Sequence, residues 1–262
     1  MILMQALEKL TTASLGRSFI YLDEVDSTNT YLKNNGESLP HGCTVIAKYQ
    51  SAGKGRQGRV WNDTDCESSL KMSFLLKSIA MPQLNILPLV CGLAAANAIM
   101  RLCDKECMIK WPNDIVMGGK KIAGILCESR ISSDGIFAVC GIGVNLLQTS
   151  IYFENENLPY ASSVFAECGK VLSIFDTASY ILNEFEILYN IFLSGGFEAL
   201  REQYKSRCIT IGRDVKVIYE NSILCGKAVD INSGGELMCE VDGRLMNIIA
   251  NEASVRGLYG YV

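Results

Sequence analysis

Histidine is nearly missing from this chain. His41 is the single one, set in a Pro40-His41-Gly42 turn, so a Ser–His or Cys–His nucleophile has almost nothing to draw on. No C-x-x-C pair occurs among the eleven cysteines, and the nearest two are Cys103 and Cys107, which argues against a Cys/His zinc set. The count is odd, and most cysteines sit in apolar runs such as Val90-Cys91, Leu126-Cys127 and Val139-Cys140. They read as small buried hydrophobes in a reducing cytoplasm. The longest mostly apolar run, Ile86 to Met100, contains Pro88, Gly92 and Asn97. It falls short of the ~20 residues needed to span a bilayer. The N-terminus has no cationic segment followed by an apolar run and a cleavage site, so the expectation is a cytoplasmic protein without a membrane partner.

One absence is local. No acidic residue occurs from Val45 through Asn62, although the formal charge of the whole chain is −4. Inside that stretch Gly53-Lys54-Gly55-Arg56-Gln57-Gly58-Arg59-Val60-Trp61 sets cations among glycines. Positive charge gathered on an acidic protein suits one specific anion rather than a general polyanion surface. Glycine lets backbone N–H groups approach that anion, while Lys and Arg add charge and directed donors.

The chain is 262 residues long, enough for one large domain or a large one with a small one. Its patterning is mixed. Strands are predicted at Ser18–Leu22, Thr44–Tyr49 and Ser69–Leu76, and a short helix after Asp26-Ser27. Pro88–Leu102 reads as a helix. Cys107–Trp111, Ile115–Met117, Ile122–Ser129 and Ile136–Gly143 follow as a meander whose turns are Pro112-Asn113-Asp114, Gly118-Gly119 and Ser132-Ser133-Asp134-Gly135. Ile181, Phe185, Leu188 and Phe192 mark an amphipathic helix capped by Asp176 and ended by Gly195-Gly196, with a second helix at Phe197–Lys205. From about residue 208 the texture becomes all-β: Asp214–Tyr219, Ile223–Asp230, Glu236–Val241 and Leu245–Ile249, separated by hairpin-type turns such as Asn221-Ser222.

Gly53, Gly55 and Gly58 formally satisfy G-x-G-x-x-G, yet no helix opens there and the next regular element is a strand, which removes the dinucleotide reading. No H-R-D or D-F-G element follows, and no G-K-[ST] closes the loop, so kinase and Walker readings fail as well. Taken alone, a cationic glycine-rich hairpin tip is also an ordinary solvated loop.

Further segments decide the matter together. Asp26-Ser27-Thr28-Asn29, Gln50 through Trp61, Lys110-Trp111-Pro112-Asn113-Asp114, Lys121-Ile122-Ala123-Gly124-Ile125-Leu126 and Gly141-Ile142-Gly143-Val144-Asn145 occur in this order, and with the late β segment they resemble biotin–protein ligases. The resemblance covers nearly the whole chain. It implies an α+β fold: a mixed, largely antiparallel sheet flanked by helices in a class II synthetase-like catalytic domain over 1–207, plus a small C-terminal SH3-like β-barrel domain over 208–262. It also implies ATP, Mg2+ and biotin as ligands, a biotin carboxyl carrier protein as partner, and biotinyl-5′-AMP as the intermediate.

The resemblance assigns residues too. Arg56, Lys121 and Lys54 would neutralise charge as the biotin carboxylate meets the α-phosphate, with Mg2+ carrying the pyrophosphate. Ser27, Thr28, Asn29, Gln50, Gly53, Gly55, Gly124, Ile125, Gly141 and Gly143 would form the biotin and adenylate site. Arg59, Asn113, Asp114 and Asn145 are further candidates, and no residue is assigned to the metal. Plainer readings stand beside these: Ser27 as a helix cap, Gly143 as a bulge marker, Asp114 as a turn-former, Trp111 as core. Residues from about 52 to 62 are expected to close over the adenylate and keep water out.

The chain departs from the family loop G-R-G-R-R-G-R-x-W at Lys54 and Gln57, losing one guanidinium fork and one charge. About 25 residues precede Ser27, too few for the helix-turn-helix module some relatives carry, so no DNA partner is expected. The alternating strands permit a homodimer through sheet edges. Two other readings remain: a lipoate or octanoate ligase or transferase of related fold, and a non-catalytic biotin- or nucleotide-binding module.

Overall fold

The computed structural model describes residues 8–61, 67–133, 135–220, 222–250, 252–258 and 261. Asn62, Asp134 and Asn221, which belong to the expected lid and two expected turns, lie outside the described residues.

The elements run β1 (Phe19–Val25), α1 (Thr28–Asn35), β2 (Thr44–Gln50), β3 (Ser69–Leu76), α2 (Leu87–Cys103), β4 (Met108–Lys110), β5 (Asp114–Met117), β6 (Lys120–Ser132) and β7 (Gly135–Asn145). Two short helices follow, α3 (Ser150–Asn155) and α4 (Val164–Cys168), then α5 (Ile174–Gly195) and α6 (Glu198–Lys205). The last stretch is β8 (Asp214–Ile218), β9 (Ile223–Ile231), β10 (Leu237–Val241), β11 (Arg244–Ile248) and β12 (Ser254–Gly257).

Strands β1 to β7 form a seven-stranded sheet in the order β1-β2-β3-β7-β6-β5-β4. Only β1 and β2 pair in parallel, because α1 crosses between them; every other pair is antiparallel. The expected mixed, largely antiparallel sheet is what forms. Helices α2 and α5 cover one face of it. Their apolar residues explain this: α2 buries Leu89, Leu93 and Ala96, and α5 buries Ile181, Phe185 and Leu188. Phe74 of β3 meets Phe185 at 4.7 Å between ring centroids, and Phe185 stacks on Tyr189 at 5.3 Å. Truncating such a ring in a core costs about 3–5 kcal/mol.

The second sheet is smaller and antiparallel, in the order β11-β10-β9-β8-β12, and forms the barrel-like C-terminal part. Its attachment is specific. The Ile109 backbone bonds to Arg207 and Ile209, at 2.7 and 2.9 Å. Trp111 then donates its backbone N–H to Thr210 Oγ1 and its indole N–H to the Gly235 carbonyl, at 2.9 and 3.1 Å. The Lys110–Asp114 turn is thereby fixed where the two sheets meet.

Two details differ from expectation. The cap of α5 is Ser173, whose hydroxyl accepts from the Asp176 backbone N–H, while Asp176 sits in the first turn and pairs with Lys9 at 2.6 Å. Either residue type caps a helix, and the chain enters one turn earlier than the apolar spacing suggests. Strand β12 and helices α3 and α4 were not expected; each is six residues or fewer, too short to develop a periodicity.

Candidate active site

The face of the large sheet opposite α2 and α5 carries an open cleft of about 930 Å³. Helix α1 starts beside it, and its first residues build a buried polar chain. Ser27 occupies the N-cap position with extended backbone, but its side chain makes no cap hydrogen bond. Its hydroxyl is therefore not committed to the helix. The Thr28 backbone N–H and hydroxyl both reach Gln50 Oε1, at 2.8 and 3.1 Å, which ties α1 to the end of β2. The Thr28 hydroxyl lies 2.7 Å from that of Ser73, and Ser73 donates to Asn29 Oδ1 at 2.6 Å. Asn29 Nδ2 in turn donates to the Leu126 carbonyl and to Glu128 Oε2, at 3.1 and 2.9 Å. Glu128 is held by Lys33 at 2.7 Å. Burial works against the Glu128 carboxylate, but its bonds to Lys33 and Asn29 outweigh this and keep it below the usual range. These buried polar groups are paired with one another, as a low-dielectric site requires.

A second cluster lies at the other end. Lys110 ends β4 and Asp114 begins β5, opposite each other in register. Asp114 meets Lys121 of β6 at 2.6 Å and Lys110 at 3.9 Å, and accepts from the Tyr261 hydroxyl at 2.6 Å. Burial opposes its charge, yet the two lysines and these hydrogen bonds hold the carboxyl below its ordinary value. The Lys110 ammonium sits 4.1 Å from the Tyr261 ring centroid. Burial, only partly offset by Asp114, lowers Lys110 to about 8.

The cationic loop is a hairpin folded over the cleft. Trp61 N–H donates to the Gly53 carbonyl and Gly55 N–H to that of Arg59, at 2.9 and 2.7 Å, around a 3-10 turn at Arg56–Gly58. Gln57 takes left-handed backbone there (φ 54°), a conformation ordinarily left to Gly or Asn. Arg56 donates to Asn113 Oδ1 at 2.9 Å, to the Ala253 carbonyl at 3.2 Å and to the Ala250 carbonyl. Arg59 donates to Ser254 Oγ at 3.1 Å, and Lys54 to Thr30 Oγ1 at 2.7 Å. The two arginines thus bridge the loop to the second sheet. Burial pulls Arg56 below its usual value.

The glycines of the cleft floor leave room for neighbouring side chains. A Cβ on Gly143 would stand 2.7 Å from the Trp61 ring, one on Gly124 3.0 Å from the same ring, and one on Gly141 2.2 Å from Asn29 Oδ1. They make room for these two side chains on the cleft floor. No bulge occurs at Gly143, whose pairing with Lys71 and Gly124 is regular.

The structure brings Ser27, Thr28, Asn29, Gln50, Lys54, Gly55, Arg56, Arg59, Asn113, Asp114, Lys121, Gly124, Ile125, Gly141 and Gly143 to one cleft. It leaves out two. Asn145 is buried and donates to the Ser162 carbonyl at 2.9 Å, and Gly53 packs its Cα against the Trp61 backbone within the hairpin. Asp114 is an ion-pair partner rather than a mere turn-former. Trp111 is 1% exposed and bonded into the junction, in keeping with a packing role. Lys71, Lys110, Trp61 and Ser254 also line the cleft and went unassigned. Lys71 had a signal: a lone cation inside the apolar strand Ser69–Leu76, where it is 1% exposed. Trp61 carries a buried indole N–H without a partner, directed by a residue that lines the cleft.

Among the described lining residues Asp114 is the single carboxylate, and its two oxygens face Lys121 and Tyr261. This donor set does not fit an all-protein Mg2+ cage; a metal here would be held mainly by substrate phosphates.

Residues 21–145 match the biotin/lipoate A/B protein ligase family. Over 244 residues the chain is 32% identical to the bifunctional ligase/repressor BirA of Bacillus spizizenii, covering 91% of this chain and 74% of that protein. It is 31% identical over 216 residues to the biotin–[acetyl-CoA-carboxylase] ligase of Mycobacterium tuberculosis, covering 80% of this chain and 78% of that one. The biotin protein ligase of Aquifex aeolicus, solved in complex with biotin and ATP, matches with a TM-score of 0.80 and 28% identity, over 92% of this chain and 99% of that chain. With sheet, cleft and motifs in agreement, the chain belongs to the biotin/lipoate A/B protein ligase family.

Proposed function

We propose that the chain is an ATP-dependent biotin–protein ligase that makes biotinyl-5′-AMP and passes biotin to one lysine of a carboxyl carrier domain. The observation that carries this reading is the charge of the cleft: among the described residues Lys54, Arg56, Arg59, Lys71, Lys110 and Lys121 line it against Asp114 alone, on a chain of net charge −4. In the first half-reaction the biotin carboxylate attacks the α-phosphorus of ATP and pyrophosphate leaves. Two anions must meet, so fixed cations lower the barrier most. Lys121, oriented by Asp114, is our choice for the α-phosphate, with Arg56 and Lys54 reaching the same region from the loop. In the second half-reaction the carrier amine attacks the acyl carbonyl, an amide forms, and AMP leaves as an anion facing Lys121.

The polar chain Ser27–Thr28–Asn29–Gln50 and the Gly124–Leu126 backbone would hold the polar head of biotin, with the Trp61 ring as apolar wall. The paired state of Asn29 supports a shaping role for it, and the uncapped Ser27 hydroxyl supports direct contact. We assign the 52–62 loop the role of lid, latched through Arg56 to the carbonyls of Ala250 and Ala253. No step is assigned to Mg2+. We further propose the division at 207/208, a cytoplasmic location and no DNA-binding role. A homodimer through a sheet edge would use β1, since residues 207–209 bond to the other edge strand, β4. No helix among the described residues is long and apolar enough to cross a membrane.

The same family includes lipoate ligases by its description, which keeps that substrate as the second reading. Incubation with ATP, biotin and a recombinant carrier domain should add one biotin mass to the carrier, lost when its acceptor lysine is replaced by Arg. Modification by lipoate or octanoate instead would transfer the proposal to the second reading.

A further inference from the structure

Beneath the cleft floor lies a cluster that the proposed reaction does not use. Cys91 of α2 points at the pair Cys127 of β6 and Cys140 of β7, which stand opposite each other in register. The three sulfurs all lie within 4.8 Å of one another, and Cys91 Sγ is 4.0 Å from Cys127 Sγ. Three sulfurs sharing one centre at about 2.3 Å are roughly 3.5–4.0 Å apart. Small side-chain rotations therefore bring these atoms to bonding positions. Cys91 and Cys140 are fully buried, while Cys127 is half-buried and lines a second cavity with Pro88, Pro112 and Leu126.

We propose that Cys91, Cys127 and Cys140 form a three-thiol site for a trivalent thiophilic centre of the arsenite class. Charge selects the valence. A divalent ion on three thiolates leaves a net negative charge in an apolar core, which is costly. No fourth His, Asp or Glu ligand completes the group among the described residues, whereas zinc takes four ligands in structural sites. With As(OH)3 the product is neutral. Three As–O bonds break and three As–S bonds form, each thiol proton leaves in a water molecule, and arsenic stays trivalent with no oxidant or reductant required.

The site also touches function through its neighbours. Leu126, beside Cys127, accepts from Asn29, and Gly141, beside Cys140, leaves the space Asn29 fills. Tying β6, β7 and α2 to one centre would shift that floor.

The test is a titration of the reduced full-length chain with sodium arsenite, followed by sulfur-to-arsenic absorption in the near ultraviolet. Denaturing alkylation and mass mapping then show which cysteines are protected. The expected result is saturation at one equivalent with Cys91, Cys127 and Cys140 protected together. Cys127→Val and Cys140→Ala should weaken binding at least tenfold, by loss of one bond of three, and Cys103→Ser should leave it unchanged. Protection of Cys103 with Cys168, protection of only two of the three, or an unaltered titration in Cys127→Val would overturn the site. Displacement of arsenite by equimolar Zn2+ would overturn the trivalent assignment. The mapping uses unmodified protein, so a poorly folding variant does not shield the proposal.

Discussion

The two sheets bury their residues in different ways, and the difference separates chemistry from closure. In the large sheet β3 is buried at every position, because helices cover one face and the cleft with its hairpin covers the other. Polar groups trapped there must be paired, and they form the Thr28–Gln50–Ser73–Asn29 chain and the Lys110–Asp114–Lys121 cluster. In the small sheet β8 alternates exposed and buried, with one face in solvent. Towards the cleft this half offers acceptors, namely the Ala250 and Ala253 carbonyls and the Ser254 hydroxyl, which receive Arg56 and Arg59. The cations that line the cleft come from the large sheet and its loop. The small sheet's side supplies the Ala250, Ala253 and Ser254 acceptors of the loop arginines, alongside Asn113 and Thr30 from the large one.

The sharpest way to break this division is Lys121→Ala. Loss of a fixed cation at developing charge should lower the single-turnover rate of adenylate formation by about 100- to 1000-fold. A loss under about threefold would move the chemistry elsewhere. Next in size is Arg56→Gly, which removes the latch: adenylate still forms, but its escape into solution should quicken by roughly 10- to 100-fold, the worth of a charge-assisted hydrogen bond. Release at the wild-type rate would end the retention role. Gly143→Ala should come third. Its methyl would meet the Trp61 ring at 2.7 Å, so KM for biotin should rise, with about 1–3 kcal/mol of overpacking in denaturant titrations. An unchanged KM would mean that Trp61 does not shape the site.

A pH profile sharpens the contrast further. Lys110 loses its proton near 8, so an ATP-dependent step that uses its charge should decline as pH rises through that value. Asp114→Asn should move the decline to lower pH, since the carboxylate raises Lys110. The stability sign is opposite to that of a lysine stabilised by an ion pair. Between about 8 and 10.5 the unfolded chain holds the extra proton, so this group's contribution to folding grows with pH. The smallest effect belongs to the outer face of the small sheet: Leu245→Ser, at a side chain 59% exposed, should change stability by no more than about 0.5 kcal/mol.

Much of this was legible before any coordinates. The strand Ser69–Leu76 and the helix around Ala94-Ala95-Ala96 follow from apolar runs and turn residues. Arg56, Lys121 and Asn29 come together as their motifs implied. What stayed hidden shares one cause, dependence on long-range partners with no local pattern. The carbonyls that hold Arg56 belong to two alanines, and any residue offers a carbonyl. Gly143 looked like a place for a ligand or a bulge; it lines the cleft without a bulge and leaves room for Trp61, over eighty residues away in the chain. Tyr261, which bonds Asp114, stands next to the last residue and belongs to no motif. The Ser173 cap was missed because Asp176, one turn on, is an equally good capping type.

The most direct test of the central claim is isotope exchange between pyrophosphate and ATP, run with biotin, lipoate or octanoate as the acid. Exchange that depends on biotin, is not supported by the other two acids and is abolished in Lys121→Ala is the predicted result. Exchange driven by lipoate or octanoate, or none with any acid, would contradict it.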